Sequence, residues 1–284
     1  MSAAKPIPSA ASGRALSRIE RAFARLKVEQ SRGLIAYITA GDPAPSRSVE
    51  LILALERGGA DIIELGVPFS DPIADGPVIQ RASDRALKAG TNVKIVLQLI
   101  RDLRQKSEVP VIVFSYLNPI LRYGFERFAE DAAAAGADGA LLTDLNIEEA
   151  ERYVAEMRKH NLDCVFLATQ TTSDERLAEI ARWSSGFVYL VSMAGVTGVR
   201  ETLSIDALPL IQRARLQTDI PLAIGFGLSK REHMRAVASY ADAAIVGSAF
   251  MRVIEEHGDQ ADLAERLSSL AADLKQGLKI ASTE

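Results

Sequence analysis

One cysteine and three histidines in 284 residues leave several chemistries without material. The lone Cys164 excludes a disulfide framework and a clustered-cysteine metal site. Within Leu162-Asp163-Cys164-Val165-Phe166-Leu167 it reads as a buried, inert thiol rather than a nucleophile. His160, His233 and His257 fall on helical stretches away from strand ends, so neither imidazole catalysis nor any metal site is expected. No excess of positive charge is present: the net charge is −4 and the pI about 5.6. Nucleic acid is therefore not an expected partner, although backbone amides can still hold a small phosphate. No apolar run approaches the 18 or so residues of a membrane span. Residues 1–14 are rich in Ala, Ser and Pro and lack the apolar core of a secretory signal, and they read as a flexible tail.

What the sequence does have is alternation. Short β-branched runs, nearly continuous in apolar residues, suit parallel strands covered on both faces. Eight are expected: Gly33–Thr39, Asp61–Val67, Val109–Tyr116, Gly139–Asp144, Asp163–Thr169, Gly186–Ser192, Ile220–Gly225 and Asp242–Val246. Helical patterns lie between them, at Ser48–Arg57, Val78–Ala89, Lys94–Gln105, Phe125–Ala135, Ile147–His160, Asp174–Arg182, Ile205–Leu216, Lys230–Ser239 and Ala249–His257, with a tail helix at Ala261–Leu274. Gly59-Ala60-Asp61, Gly136-Ala137-Asp138 and Tyr240-Ala241-Asp242 each lead into an apolar strand, a weak internal repeat. No Pro/Ser-rich linker divides the series. The fold class expected is α/β, a single (β/α)8 TIM barrel over residues 15–280; an open doubly wound sheet is the alternative, because strand count does not show closure. Leu16, Ile19, Phe23 and Leu26 mark an extra N-terminal helix, with Arg14, Arg18, Arg21 and Arg25 on its other face. Glu20 interrupts the Arg-rich pattern of a transit peptide, and packing on the barrel is the better reading.

In such a barrel the site lies where strands end. Glu64 sits within the apolar run Ile62–Val67, and a carboxylate on a strand at the barrel mouth is usually partnered or functional. The loop that follows carries Asp71 and Asp75. Asp71, between Ser70 and Pro72, is as well explained as a turn brace. Asp75, before Gly76-Pro77, is on a loop able to close over a ligand, and with Glu64 it suits general acid/base work. Gly195-Val196-Thr197-Gly198, Gly225-Phe226-Gly227 and Gly247-Ser248 follow the last three strands. Glycine lets a ligand approach backbone amides, and a helix N-terminus adds a positive dipole end, so these loops offer a phosphate site without Lys or Arg; the same glycines also permit tight turns. Only Lys230 among the lysines nears a strand mouth, and it opens a helix, which argues against Schiff-base chemistry. Tyr37, Phe69, Phe114, Tyr116, Tyr189 and Phe226 suit an aromatic ligand, although core packing explains most of them equally well.

The stretch Glu64-Leu65-Gly66-Val67-Pro68-Phe69-Ser70-Asp71-Pro72-Ile73-Ala74-Asp75-Gly76-Pro77, followed by Gln80-Arg81-Ala82-Ser83, closely resembles the signature of the tryptophan synthase alpha subunits. Tyr37-Ile38-Thr39-Ala40-Gly41-Asp42-Pro43, Gly195-Val196-Thr197-Gly198, Gly225-Phe226-Gly227 and Val246-Gly247-Ser248-Ala249 match in the same order. The resemblance implies a cytoplasmic lyase that cleaves indole-3-glycerol phosphate to indole and glyceraldehyde 3-phosphate. It implies an αββα tetramer with a beta subunit carrying pyridoxal phosphate, and no cofactor on this chain. It also assigns residues. Glu64 becomes the acid/base and Asp75 the partner of the indole nitrogen. Gly198, Gly227, Gly247 and Ser248 hold phosphate, Thr197 helps place Asp75, and Tyr37, Phe114, Tyr116, Leu141, Tyr189 and Phe226 line the indole pocket. Asn146 and Gln170 stand where proline is common in the family, and Met193 where a basic or small polar residue is frequent. These departures bear on activation by a partner and keep open a stand-alone indole-releasing lyase; a non-catalytic regulatory barrel is disfavoured by the intact Glu64 and Asp75.

Overall fold

The computed structural model describes residues 16–191, 207–225 and 227–280. Its strands are β1 (Gly33–Thr39), β2 (Ile62–Gly66), β3 (Val111–Ser115), β4 (Gly139–Leu142), β5 (Asp163–Val165), β6 (Leu167–Thr169), β7 (Val188–Val191), β8 (Leu222–Gly225) and β9 (Ala243–Val246). All pair in parallel, in the order β5-β4-β3-β2-β1-β9-β8-β7-β6. The ends of that order, β5 and β6, are separated only by Phe166, so the eighth wall of the barrel is a single run of chain. Its lower half pairs with β4 and its upper half with β7, and the Phe166 carbonyl takes the Tyr189 N–H at 3.0 Å. The expected strand Asp163–Thr169 is thus divided where its pairing passes from one neighbour to the other. The barrel closes, and the open-sheet alternative falls.

The helices follow the expected positions, with three differences. A helix at Leu117–Tyr123 has no counterpart in the sequence reading; it is seven residues long, and Asp144 accepts its Leu117 N–H at 2.6 Å. The expected Ile147–His160 helix is divided into a 3-10 turn, Ile147–Glu149, and an α-helix, Glu151–Lys159. Leu16 is exposed rather than packed, because the N-terminal helix Arg18–Val28 begins only after its cap, Ser17, which forms a reciprocal capping box with Glu20.

That helix closes the bottom of the barrel. Ile19 is fully buried among inward side chains of the strands, Ile35, Ile62, Ile112, Leu141, Val165, Ala223, Ala243 and Ile245, and Phe23 packs against the same cluster. The repeat found in the sequence has its explanation at this end. Asp61, Asp138 and Asp242 each accept the backbone N–H of a residue entering the adjacent strand, Leu34, Val111 and Leu222, at 2.8 Å. Each returns its own N–H to that residue's carbonyl and pairs with an arginine, Arg25, Arg104 or Arg215. Aspartate is the short side chain that makes this closed loop of bonds, so it recurs at the strand entrances. Among the described residues no helix is long and apolar enough to cross a membrane.

Candidate active site

Strand alternation settles where Glu64 points. On β2, Ile62, Glu64 and Gly66 face inward, while Ile63 and Leu65 pack against the helices. Ile62 belongs to the apolar floor, and Glu64 stands one layer higher, in register with Tyr37 on one side and Ile112 on the other. It is 1% exposed, and among the described residues neither carboxylate oxygen has a hydrogen-bond partner. Buried polar groups are almost always satisfied, so an orphaned carboxyl needs a reason. Burial raises its pKa from 4.5 to about 8.

The Tyr37 ring lies over the end of β2. A side chain at Gly66 would place its Cβ 2.4 Å from the Tyr37 hydroxyl, so only glycine fits there. The ring meets Phe114 edge-on, with centroids 5.0 Å apart, and its hydroxyl is 3.2 Å from Thr39 Oγ1.

From β2 the chain runs through Pro68 and Phe69 to the acidic loop. Tyr116 organises it: the hydroxyl donates to Asp75 Oδ2 at 3.0 Å and accepts the Ala74 N–H at 2.9 Å, and the ring packs against Phe69 at a tilt of 33°. Gln80 donates to the Asp75 carbonyl at 2.9 Å. Desolvation raises the Asp75 pKa from 3.8 to about 6, against the opposing bond from Tyr116. Asp71 is different. Its side chain is exposed and receives the Ser70 hydroxyl at 2.5 Å, and the turn is closed by its backbone carbonyl, which takes the Ile73 N–H, and not by its carboxylate.

Glu64 and Asp75 line one cavity of about 520 Å³. Tyr37, Phe114 and Tyr189 supply aromatic wall, and Gly227, Gly247 and Ser248 lie on it as well. Gly247 is the N-cap of the helix Ser248–His257; a Cβ on it would sit 3.2 Å from the Tyr37 ring, so the backbone reaches the cavity through glycine. Two residues assigned to the pocket by resemblance lie off it. Tyr116 acts behind Asp75, and Leu141 belongs to the apolar floor, where Thr143, two residues further on, takes its place on the wall. Thr197, Gly198 and Phe226 lie outside the described residues. Thr169, a strand-end residue, lines the cavity as well, and Leu167, Ile79, Leu228 and Arg252 also line it and were missed as pocket residues. Register finds Leu167, which is paired with Tyr189, and helical spacing finds Arg252, four residues after Ser248. Arg252 is the one Lys or Arg among the described residues that line the cavity. None of the three histidines lines the cavity. Cys164 is buried, with its thiol pKa pushed up by burial, as an inert thiol requires.

The family model described as tryptophan synthase alpha chain matches residues 23–279. The chain belongs to that family. A tryptophan synthase alpha chain of Solibacter usitatus (strain Ellin6076) is 58% identical over 262 residues, which is 92% of this chain and 98% of that one. That of Geotalea uraniireducens (strain Rf4) is 46% identical over 93% of this chain and 98% of its own. Among solved structures, the tryptophan synthase alpha chain of Legionella pneumophila subsp. pneumophila superposes with a TM-score of 0.86 at 37% identity, covering 95% of this chain and all of that one. A chain of ligand-free tryptophan synthase from M. tuberculosis gives 0.84 at 36% identity, covering 93% and 100%. Tryptophan synthase alpha chains are lyases of tryptophan biosynthesis that cleave indole-3-glycerol phosphate, and a closed barrel with two carboxyls in one aromatic cavity is in keeping with that chemistry.

Proposed function

We propose that Glu64 and Asp75 carry the retro-aldol cleavage of indole-3-glycerol phosphate on this chain, as the acid/base pair of an alpha subunit. The observation that carries the reading is the fully buried Glu64, without a hydrogen-bond partner among the described residues, sharing a cavity with a half-buried Asp75. Their environments separate their states at neutral pH. Glu64, with a pKa of about 8, keeps its proton; Asp75, at about 6, is ionised. Glu64 delivers its proton to indole C3, giving an indolenine whose C=N accepts electrons, while Asp75 stabilises the positive charge at N1–H. The Glu64 carboxylate left behind takes the proton of the side-chain hydroxyl. That oxygen becomes the aldehyde of glyceraldehyde 3-phosphate, the carbon–carbon bond breaks, and its electrons return to the ring as indole. The ring is the electron sink, so the reaction asks for no cofactor on this chain.

The phosphate is held at the other end of the cavity by the backbone at Gly227 and Gly247 and by Ser248, with Arg252 adding positive charge. Gly198 completes that set and Thr197 helps place Asp75, as the resemblance implies. Indole passes to a beta subunit that carries pyridoxal phosphate, in an αββα tetramer in the cytoplasm. The test is indole release from indole-3-glycerol phosphate by the purified chain, with and without a beta subunit. Turnover that rises with the partner supports the reading in full. Full activity in Glu64→Gln contradicts the assignment, and turnover that a beta subunit leaves unchanged contradicts the coupled role.

A further inference from the structure

Two sequence motifs have residues that the proposed chemistry leaves unused: Asp42 in Thr39-Ala40-Gly41-Asp42-Pro43, and Arg81 with Arg85 on the helix that follows the acidic loop. The structure brings them together. Asp42, buried in the loop after β1, is gripped by Arg85 through two bonds of 2.8 Å, Nε to Oδ1 and Nη2 to Oδ2. Arg85 Nη1 also donates to Glu255 Oε1 at 3.0 Å. Arg81, one turn earlier, holds both oxygens of Glu255 at 2.6 and 2.8 Å. None of the four side chains lines the cavity.

Their places on the chain give the network its meaning. Arg81 and Arg85 are on the helix Pro77–Lys88, which begins directly after Asp75-Gly76 and has no side-chain cap at its N-terminus. Glu255 is on the helix Ser248–His257, whose N-terminus carries Gly247 and Ser248 at the cavity. The loop that bears Asp42 and the helix Pro45–Arg57 that follows it also reach the far end of that second helix, where Pro43 lies against Gly258 and Arg47 donates to the Gly258 carbonyl at 3.3 Å. One helix therefore follows the acid that meets the indole end of the substrate, and the other presents the amides that meet the phosphate end. Paired guanidinium forks fix direction as well as distance, which a single ammonium does not.

We propose that Arg85, with Asp42 and Glu255, is a positioning clamp that sets the separation of the acid loop and the phosphate seat, and so matches the cavity to a substrate carrying both groups. The inference rests on the reading of the site under the previous heading.

The test uses the full chain with a beta subunit, as wild type, Glu255→Gln and Arg85→Met. Three probes are titrated: indole, glycerol 3-phosphate, and an unreactive analogue in which a saturated three-carbon chain joins indole to phosphate. Linkage adds affinity only when geometry lets both ends engage. Glu255→Gln is expected to bind both fragments as wild type does, to melt at the same temperature, and to lose affinity for the joined analogue by about tenfold. Arg85→Met is expected to lower kcat/KM by on the order of 10²-fold, the scale of a displacement near 1 Å. Unchanged affinity of Glu255→Gln for the joined analogue overturns the clamp. So does a parallel weakening of all three probes with a lowered melting temperature, the signature of a merely structural role. Full turnover in Glu64→Gln is a separate failure: it overturns the site reading while leaving the contrast between fragments and joined analogue to be read on its own.

Discussion

Two buried carboxylates at β2, within four residues of each other, are treated in opposite ways. Asp61, at the entrance of the strand, is buried and saturated: Arg25, Lys275 and the Leu34 N–H all bond to it, at 2.7, 2.6 and 2.8 Å. Glu64, three residues on, is also buried and has no hydrogen-bond partner among the described residues. Asp138 and Asp242 repeat the arrangement of Asp61, while Asp75, at the mouth, has the Tyr116 hydroxyl on its carboxylate. Burial alone therefore does not mark a catalytic acid. The difference lies in whether the fold supplies cations and amides, which satisfy a carboxylate and make it structural, or withholds them, which leaves a carboxyl available with its pKa raised by burial, as at Glu64.

The sharpest way to break the contrast is Glu64→Gln. Loss of the acid/base group is expected to lower kcat by roughly 10²- to 10⁴-fold in the indole-release assay. The same change acts on stability with the opposite sign. The folded pKa of Glu64 is raised from 4.5 to about 8, so the native state holds a proton that the unfolded chain gives up. Its contribution is full below the unfolded value and is lost as pH rises through the folded one. Glutamine takes no part in that titration. The variant is expected to melt with wild type near pH 4 and above it at pH 8, as thermal unfolding at the two pH values will show.

At the other end, Asp138→Ala leaves the buried Arg104 without its carboxylate and is expected to destabilise the fold by about 3–5 kcal/mol in urea unfolding. Its kcat per folded molecule is expected to stay near that of wild type, because the saturated acids hold the frame. A smaller effect attends Tyr116→Phe. Removing one hydrogen bond to an ionised acceptor is expected to reduce kcat/KM by about tenfold, the equivalent of 1.4 kcal/mol. The Tyr116 bond lowers the Asp75 pKa, so its loss moves the acid limb of the pH profile upward from about 6, measured as kcat/KM against pH. The wild-type profile itself is expected to rise through about 6 as Asp75 ionises and to fall through about 8 as Glu64 loses its proton.

Much of this was legible in the sequence, for reasons that differ by residue. The apolar neighbours Ile62, Ile63, Leu65 and Val67 placed Glu64 on a strand, and the alternation of β backbone, a local property, then sets it opposite in facing to Ile63 and Leu65. The Ala-Asp repeat was visible but mute, since its partners Arg25, Arg104 and Arg215 come from elsewhere in the chain and only the closed barrel brings them near. Leu141 and Thr143 show the same limit: both lie in the same short segment, and only the packed barrel shows that the first joins the apolar floor and the second the cavity wall. Arg252 escaped notice because its helix reads as an ordinary amphipathic one. Tyr116 was assigned to the pocket wall on its aromatic ring, whereas its hydroxyl, which touches Asp75, is what places it.

The central claim is that Glu64 is a neutral acid at pH 7 beside an ionised Asp75. Isotope-edited infrared titration of the Glu64 carboxyl measures it directly. A protonated carboxyl band that persists at pH 7 and disappears with a midpoint of about 8 is the expected result. A carboxylate already formed at pH 6, with a midpoint near the ordinary 4.5, would contradict the account.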